Sequence, residues 1–250
     1  MKKIYFASDF HLGVPDKETS RNRERRIVAW LESIRHDAAE IYLVGDIFDM
    51  WYEYRTVVPK GYLRLLGKLA ELREAGIPIF AFIGNHDMWQ FGYLTDELDI
   101  PVYNEPVVRE FHGKRFFIGH GDGLGPGDTK YKLIKKVFRN PVCQWLFGWL
   151  HPDIGLGIAN YWSGRSRRAN APKDQVFLGE QNEWLFQYCC RKLETKDYDF
   201  FIFGHRHLPL DLLLPNQKSR YINLGEWLKY DSYAVFDGEN LSLNYFGHAT

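Results

Sequence analysis

Cysteine is scarce in this 250-residue sequence, which contains only Cys143, Cys189 and Cys190. An odd number of cysteines, two of them adjacent, does not form a disulfide framework, and none of the three has the spacing of a metal ligand. Reduced thiols and a cytoplasmic location are therefore the simpler expectation.

Long apolar runs are also missing. No stretch of about 18 apolar residues occurs, so we expect no membrane-spanning helix. The apolar run that precedes Asp9 is too short to be the core of a signal peptide.

An excess of charge of either sign is absent, because 32 Lys and Arg residues balance 32 Asp and Glu residues. This balance argues against a protein dedicated to nucleic-acid binding. Hydrophobic residues make up 45% and charged residues 26% of the chain, which predicts a globular core rather than disorder.

Apolar strands alternate with amphipathic helices over the first half of the chain. Leu63, Leu66, Leu69 and Leu72 recur at helical spacing, and the pattern ends before Gly76. Strands that alternate with helices predict a parallel sheet built from βαβ units, in the α/β class. The predicted strands are 4–8, 40–44, 77–83, 116–119 and 200–203, the predicted helices are 20–35 and 60–74, and the predicted hairpins pair 210–214 with 219–224 and 232–236 with 241–246.

The segment 127–195 has a different character, with many Trp, Phe and Arg residues and with prolines that divide it. We interpret it as a helical insertion, or lid, in a core formed by residues 1–126 and 196–250. Basic faces beside aromatic faces suit ordinary packing, peripheral contact with an anionic membrane surface, or an apolar chamber for acyl chains. Ordinary packing explains the almost wholly apolar stretch 145–150 least well.

Five of the predicted strands are each followed by a loop with polar side chains. Loops at the carboxyl ends of parallel strands meet at one edge of the sheet, so residues far apart in sequence come together there. The loops are Asp9-x-His11, Gly45-Asp46-x-x-Asp49, Gly84-Asn85-His86-Asp87, Gly119-His120-Gly121-Asp122 and Gly204-His205-x-His207.

The side chains in these loops are suited to divalent metal ions. Imidazole, carboxylate and amide oxygen suit borderline to hard ions, and the absence of cysteine ligands argues against a structural zinc site. Seven candidate ligands are too many for one ion and suit two ions that share a carboxylate, for which Asp46 is the natural bridge. Two ions about 3.5–4 Å apart can hold the attacking and leaving oxygens of an in-line displacement. The candidate ligands are Asp9, His11, Asp46, Asn85, His120, His205 and His207.

Each motif alone has an ordinary explanation. An isolated Asp-x-His is commonly a capped loop, and Gly-Asn-His-Asp is a plausible turn because Asn and Asp favour turns. Five such motifs, each after a predicted strand, are not explained by five unrelated turns. Together they predict a metal-dependent hydrolase of phosphate esters or anhydrides.

The five motifs resemble those of the calcineurin-like metallophosphoesterases, and the match covers most of the chain. The resemblance implies a four-layer α/β/β/α sandwich with a pair of Mn²⁺, Fe²⁺ or Zn²⁺ ions, of which we expect Mn²⁺. It implies that His86, oriented by Asp49, contacts the scissile phosphate or the leaving group, and Asn85 is the third catalytic candidate. The implied ligand sets are Asp9, His11, Asp46 and His207 for one ion, and Asp46, Asn85, His120 and His205 for the other.

A narrower resemblance, to the UDP-2,3-diacylglucosamine hydrolases of the lipid A pathway, extends beyond the metal-binding loops. Similar blocks occur at 8–12, 45–51 and 224–227, and in the predicted lid. The resemblance implies hydrolysis of UDP-2,3-diacylglucosamine to 2,3-diacylglucosamine 1-phosphate (lipid X) and UMP. With the basic and aromatic lid, it favours peripheral contact with the inner face of the inner membrane. The implied substrate-binding residues are Asn85, His86, Tyr131, Ser166, Asn170, Lys173 and His205.

One position departs from the narrower family, because His86 stands where its best-known branch has Arg. An anhydride releases a phosphate with a pKa of about 6 and needs little protonation, whereas an alkoxide leaving group needs a proton. His86 therefore also fits a general phosphodiesterase or phosphatase that acts on nucleotides or phosphoproteins. A third alternative is an inactive scaffold, which predicts the loss of ligands, yet all seven candidate ligands are present.

Overall fold

The first of two β-sheets contains the strands that the sequence predicts near the N-terminus. The computed structural model describes residues 2–125, 129–174 and 176–247, with the side chains of residues 129–130 and 165–174 outside the description. Its six strands lie in the order β11 (Leu241–Tyr245), β10 (Ser232–Phe236), β1 (Lys3–Ala7), β2 (Ala38–Leu43), β3 (Ile79–Phe82) and β4 (Val102–Tyr103). The last four run parallel, and β10 is antiparallel to both of its neighbours.

The second sheet has five strands, of which the three central ones run parallel. Their order is β5 (Val107–Phe111), β6 (Lys114–Ile118), β7 (Phe200–Phe203), β9 (Arg220–Leu224) and β8 (Pro209–Leu213). The edge strands β5 and β8 are antiparallel to their neighbours. Both predicted hairpins are confirmed, since β8 pairs with β9 and β10 pairs with β11.

Alternation along the strands supplies side chains to separate cores. In β1, Ile4 and Phe6 pack against the second sheet, whereas Tyr5 and Ala7 pack under the helices. The outer layers are α1 (Lys17–Ile34) and α2 (Leu63–Glu74) on the first sheet, and α7 (Trp184–Leu193) on the second. The chain thus forms the four-layer α/β/β/α sandwich that we expected.

Helix α1 holds the loop of Asp9 and His11 in place. The Asp16 side chain accepts hydrogen bonds of 2.9 Å from the backbone N–H groups of Glu18 and Thr19, which have no helical acceptor. One turn further along, the buried Arg23 guanidinium donates to the carbonyl oxygen of His11 over 3.2 Å. The helix that covers the first sheet therefore also fixes the backbone of a candidate ligand.

Three further helices lie between β6 and α7, namely α4 (Thr129–Phe138), α5 (Pro141–Gly148) and α6 (Pro152–Asp174). Several hydrogen bonds attach them to the core, and two of these are made by aromatic side chains. The Tyr52 hydroxyl donates to the carbonyl oxygen of Gln144 over 2.6 Å, and Trp89 Nε1 donates to that of Phe138 over 2.8 Å. Within the described ranges, no helix combines the length and apolar composition needed to cross a membrane.

Helix α7 falls inside the predicted insertion 127–195 but packs on the second sheet. Its Leu185, Phe186 and Cys189 are buried against Phe201 and Tyr221. The aromatic content of α7 matches that of the preceding helices, which is why the sequence alone predicts that it belongs to the lid. The division of the chain at residues 127 and 195 stays a prediction.

Three short elements were not predicted. They are α3 (Tyr93–Leu98), β4 and β5, with six, two and five residues. The first two are too short to show a period, and β5 is an edge strand whose side chains alternate only between half-buried and exposed.

Candidate metal centre

The parallel strands bring the predicted loops to one edge of the sandwich, and one group of ligands meets there. The nearest nitrogen of His207 lies 3.0 Å from His11 Nε2 and 3.2 Å from Asp9 Oδ1. His11 Nε2 lies 3.6 Å from Asp9 Oδ1 and 3.7 Å from Asp46 Oδ2. One ligand atom from each of these four residues falls within 4.8 Å of all the others. This spacing matches the first predicted ligand set.

A second group of ligands lies on the other side of Asp46. Asn85 Oδ1 is 2.7 Å from His205 Nδ1 and 3.2 Å from His120 Nε2. His120 Nε2 is in turn 3.4 Å from Asp46 Oδ2. The same carboxylate oxygen of Asp46 therefore faces His11 in one group and His120 in the other. The structure brings all seven predicted ligands together and places Asp46 between the two groups.

Most of these ligands have an uncommon backbone conformation. A positive φ is rare for residues other than glycine, although Asp, Asn and His adopt it more readily than most, and it costs about 1 kcal/mol or more. Such strain is typical of functional sites, where the surrounding structure enforces it. The ligands concerned are Asp9 (55°), His11 (43°), Asp46 (52°), His205 (69°) and His207 (51°).

Glycines allow the loops to approach one another closely. A Cβ atom on Gly84 would collide with the carboxylate and backbone of Asp46, and one on Gly45 would lie 2.5 Å from His120 Nδ1. A Cβ on Gly204 would collide with the Asp9 carboxylate. Glycine at these three positions is therefore needed for the ligands to occupy the space that they do.

The site is electrostatically suited to cations. Asp9 Oδ1 and Asp46 Oδ2 are buried, and neither has a hydrogen-bond partner within the described part of the chain. Burial by itself lowers the pKa of His11, but the neighbouring carboxylates of Asp49 and Asp9 outweigh it and raise the pKa to about 10. Burial likewise opposes the charge of His120, yet Asp46 raises its pKa to about 10. Buried carboxylates that stabilise positive charge so strongly fit a centre for divalent metal ions.

The remaining histidine of the second group has the opposite electrostatic environment. Burial, followed by the neighbouring His120, lowers the pKa of His205 to about 4. A neutral imidazole is the form that binds a metal ion. His205 is therefore ready to act as a ligand without first losing a proton.

Asp49 and His86 lie next to the first ligand group. Asp49 Oδ1 is 3.3 Å from His11 Nδ1, so this carboxylate lies against one of the predicted ligands. His86 Nδ1 lies 3.2 Å from the backbone carbonyl oxygen of Asp49 and 2.9 Å from Ser163 Oγ, whereas the Asp49 carboxylate is 3.7 Å away. Asp49 thus contacts His86, but mainly through its backbone and through a serine that the sequence did not single out.

The sequence places Asp87 in the Gly-Asn-His-Asp motif but does not indicate a role for it. Its buried carboxylate accepts hydrogen bonds from the backbone N–H groups of Gly84 (2.8 Å) and Ile47 (2.9 Å). Burial and the charge of Asp46 raise the pKa of Asp87 to about 7. Asp87 ties the second and third metal-binding loops together. Its place in the Gly-Asn-His-Asp motif is the one sequence signal for this role. The motif does not reveal the partner of Asp87, because Ile47 lies 40 residues away along the chain.

An apolar cavity of about 390 Å³ lies between the metal centre and the helices α4 to α6. Tyr131, a predicted substrate contact, lines it and donates a 2.6 Å hydrogen bond to Asp122 Oδ2. Ser166, Asn170 and Lys173 lie outside the described side chains, so their predicted contacts stay predictions. The other residues that line the cavity include Asn85, His86, Trp89, Ile134, Phe138, Phe147, Ile158, Ala159 and Trp162.

The sandwich and the paired ligand groups define a metal-dependent phosphoesterase. Residues 2–209 match the family model for the Calcineurin-like phosphoesterases, so the chain belongs to this family, whose members use divalent metal ions.

The chain is similar over nearly its whole length to two hydrolases. The UDP-2,3-diacylglucosamine hydrolase of Porphyromonas gingivalis is 42% identical over 253 residues, which cover 96% of each chain. The enzyme of the same name from Yersinia pseudotuberculosis is 28% identical over 240 residues, which cover 95% of this chain and 96% of the relative. Among solved structures, Yfce, a phosphoesterase from E. coli, is 16% identical with a TM-score of 0.48, and the match covers 98% of this chain and 93% of that one.

Proposed function

We propose that the protein hydrolyses the pyrophosphate bond of UDP-2,3-diacylglucosamine and releases 2,3-diacylglucosamine 1-phosphate and UMP. The observation that carries this proposal is the position of the apolar cavity, because Asn85 and His86 of the metal-binding loops form part of its wall. A phosphate held at the metal centre has room for apolar groups directly beside it. The similarity to two hydrolases of that name supports the same substrate.

Two ligand groups support the binding of two divalent ions, and we take these to be Mn²⁺. When bound, the ions would supply Lewis acidity to the phosphoryl oxygens and would lower the pKa of a bound water molecule to about 7, so that hydroxide is available at neutral pH. Nitrogen and oxygen ligands accept several divalent ions, so availability decides which one is bound. The residues that would hold one ion are Asp9, His11, Asp46 and His207, and those that would hold the other are Asp46, Asn85, His120 and His205.

His86 is assigned to the contact with the scissile phosphate or the leaving group. Its ring lines the cavity, and it belongs to neither ligand group. The leaving phosphate of an anhydride needs little protonation, so on this substrate His86 mainly stabilises charge by donating a hydrogen bond. Further contacts with the UDP-sugar are assigned to Tyr131, Ser166, Asn170, Lys173 and His205.

The acyl chains of the substrate are expected to govern its specificity. We expect kcat/KM for UDP-2,3-diacylglucosamine to exceed that for UDP-glucose by at least about 10²-fold, because burying roughly 110 Å² of additional apolar surface provides about 2.7 kcal/mol. Steady-state kinetics with the two substrates test this directly. Ala159→Trp, which places a large side chain in the cavity, should remove most of the preference while UDP-glucose turnover stays the same. Equal turnover of both substrates by the unaltered protein would exclude the acyl-binding role.

We also propose that the helices beside the cavity touch an anionic membrane surface. Trp145 of α5 is 61% exposed and Trp149, directly after α5, is 75% exposed, and Leu133 and Val137 of α4 are exposed beside Lys136. Apolar side chains next to a basic one suit an interfacial helix. The double variant Trp145→Ser/Trp149→Ser should weaken co-sedimentation with vesicles that contain phosphatidylglycerol by about 10-fold or more. Binding that does not change, or that is as strong to uncharged vesicles, would contradict this proposal.

A further inference from the structure

A side chain of helix α6 reaches into the core beside the metal centre. Ser163 Oγ lies 2.9 Å from His86 Nδ1 and 2.7 Å from Asp49 Oδ2. The distance from His86 Nδ1 to the nearest oxygen of the Asp49 carboxylate is longer, at 3.7 Å. The serine hydroxyl therefore lies between the two side chains and connects them.

The direction of these hydrogen bonds follows from the groups involved. The backbone carbonyl oxygen of Asp49, 3.2 Å from His86 Nδ1, can only accept, so Nδ1 carries a proton. The carboxylate of Asp49 also only accepts, so Ser163 donates its single proton to it and accepts from His86 with a lone pair. Nε2 is then the ring nitrogen that faces the substrate, and it gives up its proton from the imidazolium form, which leaves the neutral ring protonated at Nδ1.

We propose that Ser163 is a positioning residue that links the Asp49 carboxylate to His86, so that His86 is held with Nδ1 protonated and Nε2 facing the substrate only when α6 is docked on the core. A carboxylate that acts through a hydroxyl stabilises positive charge on the imidazole and fixes which nitrogen faces the substrate. The lid then contributes to the reaction itself as well as to substrate binding.

This inference rests on the proposed function, because it assigns His86 to the leaving group of a phosphoryl transfer. Its effect should be largest when that group leaves as a strong base. Phenol has a pKa of about 10, as in tyrosine, so phenolate needs a proton more than p-nitrophenolate or a phosphate does. Diphenyl phosphate and bis-p-nitrophenyl phosphate therefore form a matched pair of probes.

Kinetics of Ser163→Ala, His86→Ala and the double variant test the link. With diphenyl phosphate, we expect Ser163→Ala to lower kcat by about 10-fold or more, with KM little changed. With bis-p-nitrophenyl phosphate the loss should be smaller, at about threefold or less. In the His86→Ala background, Ser163→Ala should have no further effect, because the side chain that it positions is gone. Ser163→Thr keeps the hydroxyl and should recover most of the activity.

The outcomes distinguish this proposal from the proposed substrate. Ser33→Ala is the matched control, since its hydroxyl bonds only to the Trp30 carbonyl oxygen of its own helix among the described residues, and it should leave kcat unchanged. Additive losses in the double variant, full activity of Ser163→Ala, or no turnover of diphenyl phosphate by the unaltered protein would each overturn the role of Ser163. Failure to hydrolyse UDP-2,3-diacylglucosamine, with the coupling between Ser163 and His86 intact, would overturn only the substrate.

A spectroscopic readout checks the link without turnover. Long-range ¹H–¹⁵N spectra of histidine-labelled protein, recorded at a pH where the His86 ring is neutral, should show it as the Nδ1–H tautomer, with that population reduced in Ser163→Ala. The Ser33→Ala control should leave the spectrum unchanged. An Nε2–H tautomer in the unaltered protein would contradict the proposed direction of the hydrogen bonds.

Discussion

Replacing Asp46 by asparagine is expected to lower kcat by at least about 10³-fold, equivalent to about 4 kcal/mol in the barrier. Asparagine has nearly the same shape and tolerates the positive φ of this position, so the backbone should survive. Asp46 Oδ1 accepts a 2.8 Å hydrogen bond from the backbone N–H of His86. The side-chain oxygen of the asparagine would keep that bond. Its NH₂ group would then face both ligand groups, and an NH₂ group is a donor that cannot bind a metal ion.

Metal analysis provides the second readout for this variant. We expect about two ions per chain in the unaltered protein and no more than one in Asp46→Asn, because the shared carboxylate oxygen is lost. Asp96→Asn, at an exposed carboxylate on α3, is the matched control and should retain both ions and full activity. Normal metal content together with normal kcat in Asp46→Asn would exclude a bridged dinuclear centre.

The smallest substitution with a large expected effect is Gly84→Ala. The added methyl group would overlap the Asp46 carboxylate and backbone N–H, so either Asp46 or the loop after β3 must move. A displacement of this kind in a catalytic centre costs about 10²-fold or more in rate. We expect a loss of kcat of at least that size, accompanied by weaker metal binding in a titration calorimeter.

Gly67→Ala is the control for this steric argument. Gly67 lies in α2, where an added Cβ meets no atom within 4 Å, and alanine is the better helix former by about 1 kcal/mol. This variant should keep full activity and unfold at a slightly higher temperature. If Gly84→Ala matched it in kcat and in metal affinity, the close approach of the two loops would not matter for function.

The ligands of the metal centre could be predicted from sequence because local patterns determine where they lie. Each follows an apolar run that forms a strand, and parallel strands deliver their carboxyl ends to the same edge. The loop after β7, for example, carries His205 and His207 directly behind the four buried residues Phe200–Phe203. The spacing within each motif therefore contained most of the information needed to assemble the two ligand groups.

The contacts between the lid and the core could not be predicted in this way. Ser163 lies 77 residues from His86 and 114 from Asp49 along the chain, and a single serine in a helix shows no pattern. The packing of α7 on the second sheet is equally non-local. The pattern of apolar residues along a helix is the same whether its apolar face packs on a lid or on a sheet. Such contacts depend on how whole elements dock, which residue spacing does not specify.

The left-handed backbone at five of the seven ligands has a consequence for protein engineering. A designer who copied only the side chains of these loops onto another scaffold would place imidazoles and carboxylates at the right intervals but aim them in the wrong directions. The transferable unit is the strand end with its left-handed residue and the adjoining glycine. Grafts of that unit should keep their affinity for metal ions, whereas grafts that copy the residue types without the backbone conformation should not.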